Sequence, residues 1–195
     1  MISAIILAAG KSTRMGQPKM LLPWGTTTVV GQVIETVQRA GIEDVLIITG
    51  GAQREVEKIT SHYQVRTIRN DSFENKEMLS SIQCGLRNQK SETQATLICL
   101  GDQPQVEEGS VWDICEAFRK SSSNLIVPSY HMKRGHPWLV ARVLWNELLN
   151  MQSSESPRDF LNSHADEIEY LVVETRSVIQ DIDDPDDYLK FKPLV

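Results

Sequence analysis

The chain has 195 residues, 41% of them hydrophobic, and a formal net charge of −6, which fits one large domain with a substantial buried core. The acidic balance argues against nucleic acid polymers and anionic membranes as partners and leaves a small molecule as the expected one. The longest apolar runs, such as Ile2 to Ala9, are far short of a membrane span, and the first residues lack the layout of a signal peptide, so a cytoplasmic protein is expected.

The first predicted element is a buried strand over Ile2 to Ala8, which empties into the loop Ala9 to Lys19. Gly10 and Gly16 let that backbone approach a ligand or take positive φ, Ser12 and Thr13 offer hydroxyls, and Lys11, Arg14 and Lys19 supply positive charge. The loop reads as an anion cradle, yet neither G-x-x-x-x-G-K-[ST] nor G-x-G-x-x-G can be written onto it. Thr27 or Thr28 then caps a helix with Val29, Val30, Val33, Ile34 and Val37 at helical spacing, ending at Gly41. A strand over Val45 to Thr49 stops at Gly50-Gly51. The pattern continues with a helix over Glu55 to Ser61, a strand over Val65 to Arg69, a helix over Leu79 to Asn88 and an apolar strand over Ala95 to Leu100. Ser110 is expected to cap a helix reaching about Lys120, and Leu125 to Val127 to form a strand closed by Pro128. The last third is less regular. Trp138 to Val140 reads as a strand, Arg142 to Leu149 as a helix, Pro157 to Ser163 as a helix with proline at its first position, and Glu169 to Val173 as a strand.

Strands alternating with helices argue for an α/β fold with a mostly parallel sheet. In such a doubly wound sheet ligands bind beyond the carboxyl ends of the strands, where the loops after Ala8, Arg69 and Leu100 gather. Beyond Leu100, Gly101-Asp102-Gln103-Pro104 places a carboxylate between a glycine and a proline turn. An isolated motif of this kind more often makes a turn in which the aspartate bonds its own backbone. Beside the cationic loop, Asp102 is the better candidate for a Mg²⁺ ligand, since magnesium takes one or two carboxylates together with phosphate oxygens and water. Asp181, Asp183, Asp184, Asp186 and Asp187 crowd into seven residues; Asp184 reads as an N-cap before Pro185, with Asp186 and Asp187 in the first turn. Cys84, Cys99 and Cys115 are odd in number, widely spaced and set among apolar neighbours, which suits reduced, buried thiols rather than disulfides or a zinc site.

Leu7, Ala8, Ala9, Gly10, Ser12, Arg14, Met15, Gly16 and Lys19 together resemble the L-A-A-G-x-S-x-R-M-G-x-x-K signature of nucleotidyltransferases that charge small phosphorylated molecules with a nucleotide. Gly101 to Pro104 is similar to the G-D-Q-P of molybdenum cofactor cytidylyltransferases. Their guanylyl-transferring relatives more often show A-G-G in the first loop and D-x-P-F in the second. Arg134-Gly135-His136-Pro137 and Asp181 to Tyr188 also match the family pattern, the latter resembling D-I-D-T-P-E-D-Y, so the resemblance to this molybdopterin nucleotidyltransferase family spans almost the whole chain. It implies a single-domain, three-layer α/β/α fold with a Rossmann-like sheet of the nucleotide-diphospho-sugar transferase type.

The resemblance further implies that Leu7, Ala8, Ala9, Gly10, Ser12, Arg14, Lys19, Asn70, Ser81 and Gly85 bind nucleotide, with CTP favoured. It implies Arg14, Lys19 and Asp102 in catalysis, Asp102 and Asp181 on Mg²⁺, and Gln103, His136, Arg158 and Asp183 at a molybdopterin-type acceptor. A transient contact with a molybdoenzyme belongs to the same expectation. One departure stands out, because Ser156-Pro157-Arg158-Asp159-Phe160-Leu161 replaces the family's G-A-R-x-L-L. The reaction implied is attack of an acceptor phosphate on the α-phosphorus of a nucleoside triphosphate. A phosphate is already ionised at neutral pH and requires no general base, in keeping with a sequence that offers no Ser/His/Asp or Cys/His arrangement. The rival readings are a guanylyl or other nucleotidyltransferase on a different acceptor, and a non-catalytic carrier of nucleotide or cofactor.

Overall fold

The computed structural model describes residues 1–10, 12–73 and 77–193. Its elements run β1 (Ile2–Ala8), β2 (Pro23–Trp24), β3 (Thr27–Thr28), α1 (Val29–Arg39), β4 (Val45–Thr49), α2 (Gln53–Thr60), β5 (Arg66–Arg69), α3 (Glu77–Arg87) and β6 (Ala95–Leu100). They continue with α4 (Glu108–Lys120), β7 (Leu125–Tyr130), β8 (Lys133–Arg134), β9 (Trp138–Ala141), α5 (Trp145–Asn150), α6 (Pro157–Ser163), β10 (Glu169–Val172) and α7 (Pro185–Phe191). The main sheet has the order β10-β7-β9-β6-β1-β4-β5, with β8 pairing β7. Every pairing of β1, β4, β5 and β6 with one another is parallel, and β9 runs antiparallel between β6 and β7.

The central strands are apolar along their whole length because both faces are covered. Ala4, Ile6 and Ala8 of β1 join Val33, Ile34 and Val37 of α1 and Ile114 of α4 in one core. Ile5 and Leu7, one pleat over, join Ile82 and Leu86 of α3, Leu148 of α5 and Phe160 of α6 in a second. These are the two interfaces of a three-layer α/β/α arrangement, and each fully buried Ile or Leu contributes about 1.5–3 kcal/mol. Among the described residues no helix is long and apolar enough to cross a membrane.

Local signals account for the boundaries of α1: the Thr28 hydroxyl accepts from the Gly31 N–H at 3.2 Å, and Gly41, two residues past the helix, adopts φ +88°. Other expected boundaries shift. Ser110 does not cap α4; it is buried within the first turn, while Glu107 holds the extended cap backbone. The helix starts earlier because Glu108 complements the amide dipoles of its first turn. Pro128 does not close β7, which runs on to Tyr130. It falls between Ile126, the last residue paired with β9, and Ser129, the first paired with β8. There its carbonyl accepts from the Gly135 N–H at 2.8 Å, a bond that draws on the proline's oxygen and not on its missing N–H.

The chain leaves β1 on one side for β4 and β5 and returns on the other side at β6. The crevice beyond Ala8 and Leu100 is therefore the topological switch point of the sheet, where such folds hold ligands.

Candidate active site

The loop after β1 folds back on itself. Ser12 takes φ +51° and Gly16 φ +69°; the Ser12 carbonyl accepts from the Met15 N–H at 3.1 Å, and its hydroxyl accepts from the Lys19 N–H at 3.0 Å. This brings Arg14 and Lys19 to one mouth. Gly50, at the end of β4, makes room: a Cβ there would stand 2.5 Å from the Ala9 carbonyl oxygen. Gly101 serves the second loop in the same way. Its N–H donates to the Leu7 carbonyl at 3.0 Å, and a Cβ would lie 2.8 Å from that oxygen, so Asp102 emerges close against β1.

The charged groups then meet across the crevice. The Lys19 ammonium lies 2.5 Å from Asp102 Oδ2 and 3.4 Å from Asp183 Oδ1, and Arg14 Nη1 lies 2.9 Å from Asp183 Oδ2. Burial by itself pushes Lys19 down, but the charges of Asp102 and Asp183 outweigh it and hold the ammonium above the usual lysine value. Asp181 moves the other way for a carboxylate. Burial, then the like charges of Asp102 and Asp183, push it up, only partly offset by its own backbone and Lys19. Among the described residues, two cations thus face three carboxylates.

These groups line a cleft of about 440 Å³ together with Leu7, Ala9, Gly10, Ser12, Thr13, Met20, Phe73, Met78, Ser81 and Leu100. The size suits a small ligand. Among the described residues no three His, Cys, Asp or Glu side chains form a complete metal cage. The donor set nonetheless fits a hard divalent cation: all its ligands are carboxylate oxygens, their mutual repulsion is visible at Asp181, and a magnesium ion draws its remaining ligands from phosphates and water.

Several expected site residues do not line the cleft. Ala8 is 4% exposed in the core under it. Asn70 is buried too; its amide donates to the Ser80 and Ser81 hydroxyls at 2.9 and 3.1 Å, and its Oδ1 accepts from the Ser72 N–H at 3.0 Å. It ties α3 to the end of β5 and bonds Ser81, which does line the cleft. Gly85 sits where α3 crosses β1, and a Cβ would come 2.7 Å from Ile5; the glycine serves helix–sheet packing. Gln103 lines a separate void of about 10 Å³ with Val33, Thr36 and Pro137. Arg158 is exposed on α6, whose Phe160 and Leu161 anchor it in the α3/α5 core. His136 has its Nδ1 3.4 Å from the Ile98 carbonyl oxygen. Burial pushes its imidazole down to about 4, against the Ile98 bond and the Asp102 charge, so it is neutral at pH 7. Lys11 lies outside the described residues.

Phe73, Met20 and Leu100 are the cleft residues that the sequence reading passed over. Phe73 had a signal: an aromatic in a polar loop at the carboxyl end of β5, with the Arg69 guanidinium 6.0 Å over its ring. The cysteines offer no nucleophile. Burial pushes the Cys99, Cys115 and Cys84 thiols up, Cys115 to about 11; Cys99 and Cys115 are buried, as expected for inert, reduced side chains, whereas Cys84 is only partly buried.

Residues 4–168 match the MobA-like NTP transferase domain; the match ends before Asp181 and Asp183. The chain is 27% identical to the molybdenum cofactor cytidylyltransferase of Escherichia coli K12 over 98% of its own length and 95% of that protein. It superposes on the crystal structure of Rv0371c from Mycobacterium tuberculosis H37Rv with a TM-score of 0.85, at 26% identity, covering 97% of this chain and 96% of that one. Rv0371c has also been solved in complex with manganese, and that structure aligns at 25% identity with a TM-score of 0.80, covering 97% and 96% of the two chains.

Proposed function

The chain belongs to the MobA-like NTP transferase family and is a nucleotidyltransferase; from that premise we propose that it transfers CMP from CTP to the terminal phosphate of a molybdopterin-type acceptor, with Mg²⁺. The observation that carries this reading is the meeting of Arg14 and Lys19 with Asp102 and Asp183 at the switch-point cleft. The identity of the cytidylyltransferase relative over nearly its whole length supports the choice of base and acceptor. A single domain working in the cytoplasm is part of the same reading.

In this mechanism an oxygen of the acceptor phosphate forms a bond to the α-phosphorus while the bond from that phosphorus to the β-phosphate oxygen breaks, and pyrophosphate departs. The nucleophile arrives ionised, so no side chain has to remove a proton, and the neutral His136 is not needed as a base. Asp102 and Asp181 would hold Mg²⁺, which when bound neutralises and orients the triphosphate. Lys19 and Arg14 exchange their carboxylate partners for phosphate oxygens and stabilise the negative charge crowding the reacting phosphorus. Their resting pairs keep both side chains extended toward that position beforehand. Leu7, Ala9, Gly10 and Ser81 form the wall against which the nucleoside lies, with Phe73 as an additional apolar surface.

Arg158, exposed on α6 and away from the cleft, favours a second reading in which the acceptor is a different small phosphorylated molecule. A carrier without catalysis would have no use for Arg14, Lys19 and Asp102 together. The test is pyrophosphate release with Mg²⁺ and each of CTP, GTP, ATP and UTP, with and without molybdenum-loaded pterin. Release that requires the pterin and favours CTP is expected. Preference for GTP overturns the base assignment, and release that ignores the pterin overturns the acceptor.

A further inference from the structure

The C-terminal segment brings two carboxylates to the cleft, and its hold on the rest of the chain is apolar. Ile182, between Asp181 and Asp183, has no exposed surface. It is buried with Met15, Leu22, Trp24 and Val29 in a cluster separate from the two cores of the sheet, and Tyr188 and Phe191 of α7 pack against it. The Trp24 and Tyr188 rings lie 6.5 Å apart, and the Tyr188 hydroxyl donates to the Pro23 carbonyl at 2.7 Å. The Ile182 N–H donates to the Asp102 carbonyl at 3.0 Å.

Each described segment that supplies charge to the cleft is thus fastened to this small cluster. Met15 follows Arg14 in the cationic loop, Leu22 closes the turn that carries Lys19, and Ile182 separates the two aspartates while bonding the loop of Asp102. Along an extended stretch, alternate residues face opposite ways, so burying Ile182 turns both of its neighbours toward the cleft.

We propose that Ile182 and Tyr188 are positioning residues for nucleotidyl transfer: the satellite cluster sets the distances of Asp181 and Asp183 from Arg14, Lys19 and Asp102. The inference rests on the reading of the cleft given above. A misplacement of about 1 Å at such a site costs on the order of 10²-fold in rate.

The experiment compares wild type with Ile182→Ala, Ile182→Val, Tyr188→Phe, Asp183→Asn and the Ile182→Ala/Asp183→Asn double variant. It reads nucleotide-dependent pyrophosphate release and, separately, affinity for magnesium pyrophosphate by titration calorimetry. Ile182→Ala is expected to lower kcat by about 10- to 100-fold, with the nucleotide KM changed far less, and to weaken magnesium pyrophosphate binding about fivefold or more. Ile182→Val should recover most of both. Adding Asp183→Asn to Ile182→Ala should cost much less than Asp183→Asn alone, because the carboxylate is already out of place.

Wild-type kcat and pyrophosphate affinity in Ile182→Ala, with only the melting temperature lowered, overturn the proposal and leave the site reading intact. Additive effects of Ile182→Ala and Asp183→Asn overturn it as well. If Ile182→Ala does not fold, Tyr188→Phe decides: it removes one hydroxyl, and an unchanged kcat and affinity refute positioning. A wild-type protein that neither binds magnesium pyrophosphate nor turns over any nucleotide overturns the site reading, and the positioning role with it.

Discussion

Replacing Lys19 with methionine keeps most of the side-chain volume and removes the ammonium that lies 2.5 Å from Asp102 and 3.4 Å from Asp183. Two costs of different size follow. The folded protein loses the counter-charge between carboxylates whose side chains are 18% and 42% exposed. Breaking a fully buried pair costs about 3–5 kcal/mol, and water access here reduces that to about 1–2 kcal/mol. For a chain of this length such a loss lowers the melting temperature by roughly 2–8 °C. The loss in the transition state is larger. A cation aimed at the reacting phosphate is worth on the order of 10³-fold in rate, which at 1.36 kcal/mol per decade is about 4 kcal/mol. Lys19→Met should therefore remain folded at assay temperature with kcat for pyrophosphate release down about a thousandfold, and with a nucleotide KM within a few-fold of wild type. A kcat within tenfold of wild type, or a loss confined to KM, would falsify the transition-state role.

Asp102→Asn should eliminate divalent-cation-dependent turnover while leaving the circular dichroism spectrum unchanged; turnover that still responds to Mg²⁺ would transfer the metal role to Asp181 or Asp183. Gly50→Ala places a methyl 2.5 Å from the Ala9 carbonyl oxygen and should displace the cationic loop, cutting activity well before it cuts the yield of folded protein; crystals showing an unmoved loop with full activity would contradict this. His136 gives a pH signature. Its folded pKa, pushed down to about 4 from an ordinary 6.5, means that the fold binds fewer protons than the unfolded chain between those values. Stability should decline as pH falls from about 6.5 toward 4 and level off below, with at most about 3 kcal/mol at stake. Urea midpoints at closely spaced pH values should show this slope in wild type and a shallower one in His136→Gln.

The parts of this molecule legible in sequence are those in which one short segment carries both its structure and its chemistry. Ile2 to Ala8 announces a buried strand, and Gly10 to Lys19 announces a cationic loop beyond it, because the signal for each lies in consecutive residues. Asp102 was legible for the same reason, with glycine and proline fixing the turn around it. Residues read by their neighbours in the chain were harder to place. Gln103 adjoins Asp102 yet lines a different void, since consecutive side chains leave a turn in different directions. Gly85 matched a nucleotide-proximal stretch, but its missing Cβ is used against Ile5. Gly50 looked like a strand terminator, and its contact with Ala9 exists only once β4 and β1 lie side by side.

The Asp181–Asp183 segment is the clearest case of a site element whose meaning depends on tertiary structure. As sequence, the aspartate run reads as a helix start at Asp184, Asp186 and Asp187, with Asp181 and Asp183 open between that and a site role, and Asp184 does cap α7 by accepting from the Asp186 and Asp187 N–H groups at 3.0 and 2.9 Å. The same short run also has Ile182 buried beneath the cationic loop, so one face of it belongs to a core and the other to the cleft. Among the described lining residues, two cations face three carboxylates, and on the proposed reading this puts an acidic surplus at the place where a triphosphate would lie. Such a surplus opposes a bare polyphosphate and is relieved by a divalent cation. On the proposed reading, a requirement for a divalent cation follows from these described charges as well as from those of the substrate, and the proposed hold of Ile182 on Asp183 against Arg14 and Lys19 is part of what sets it.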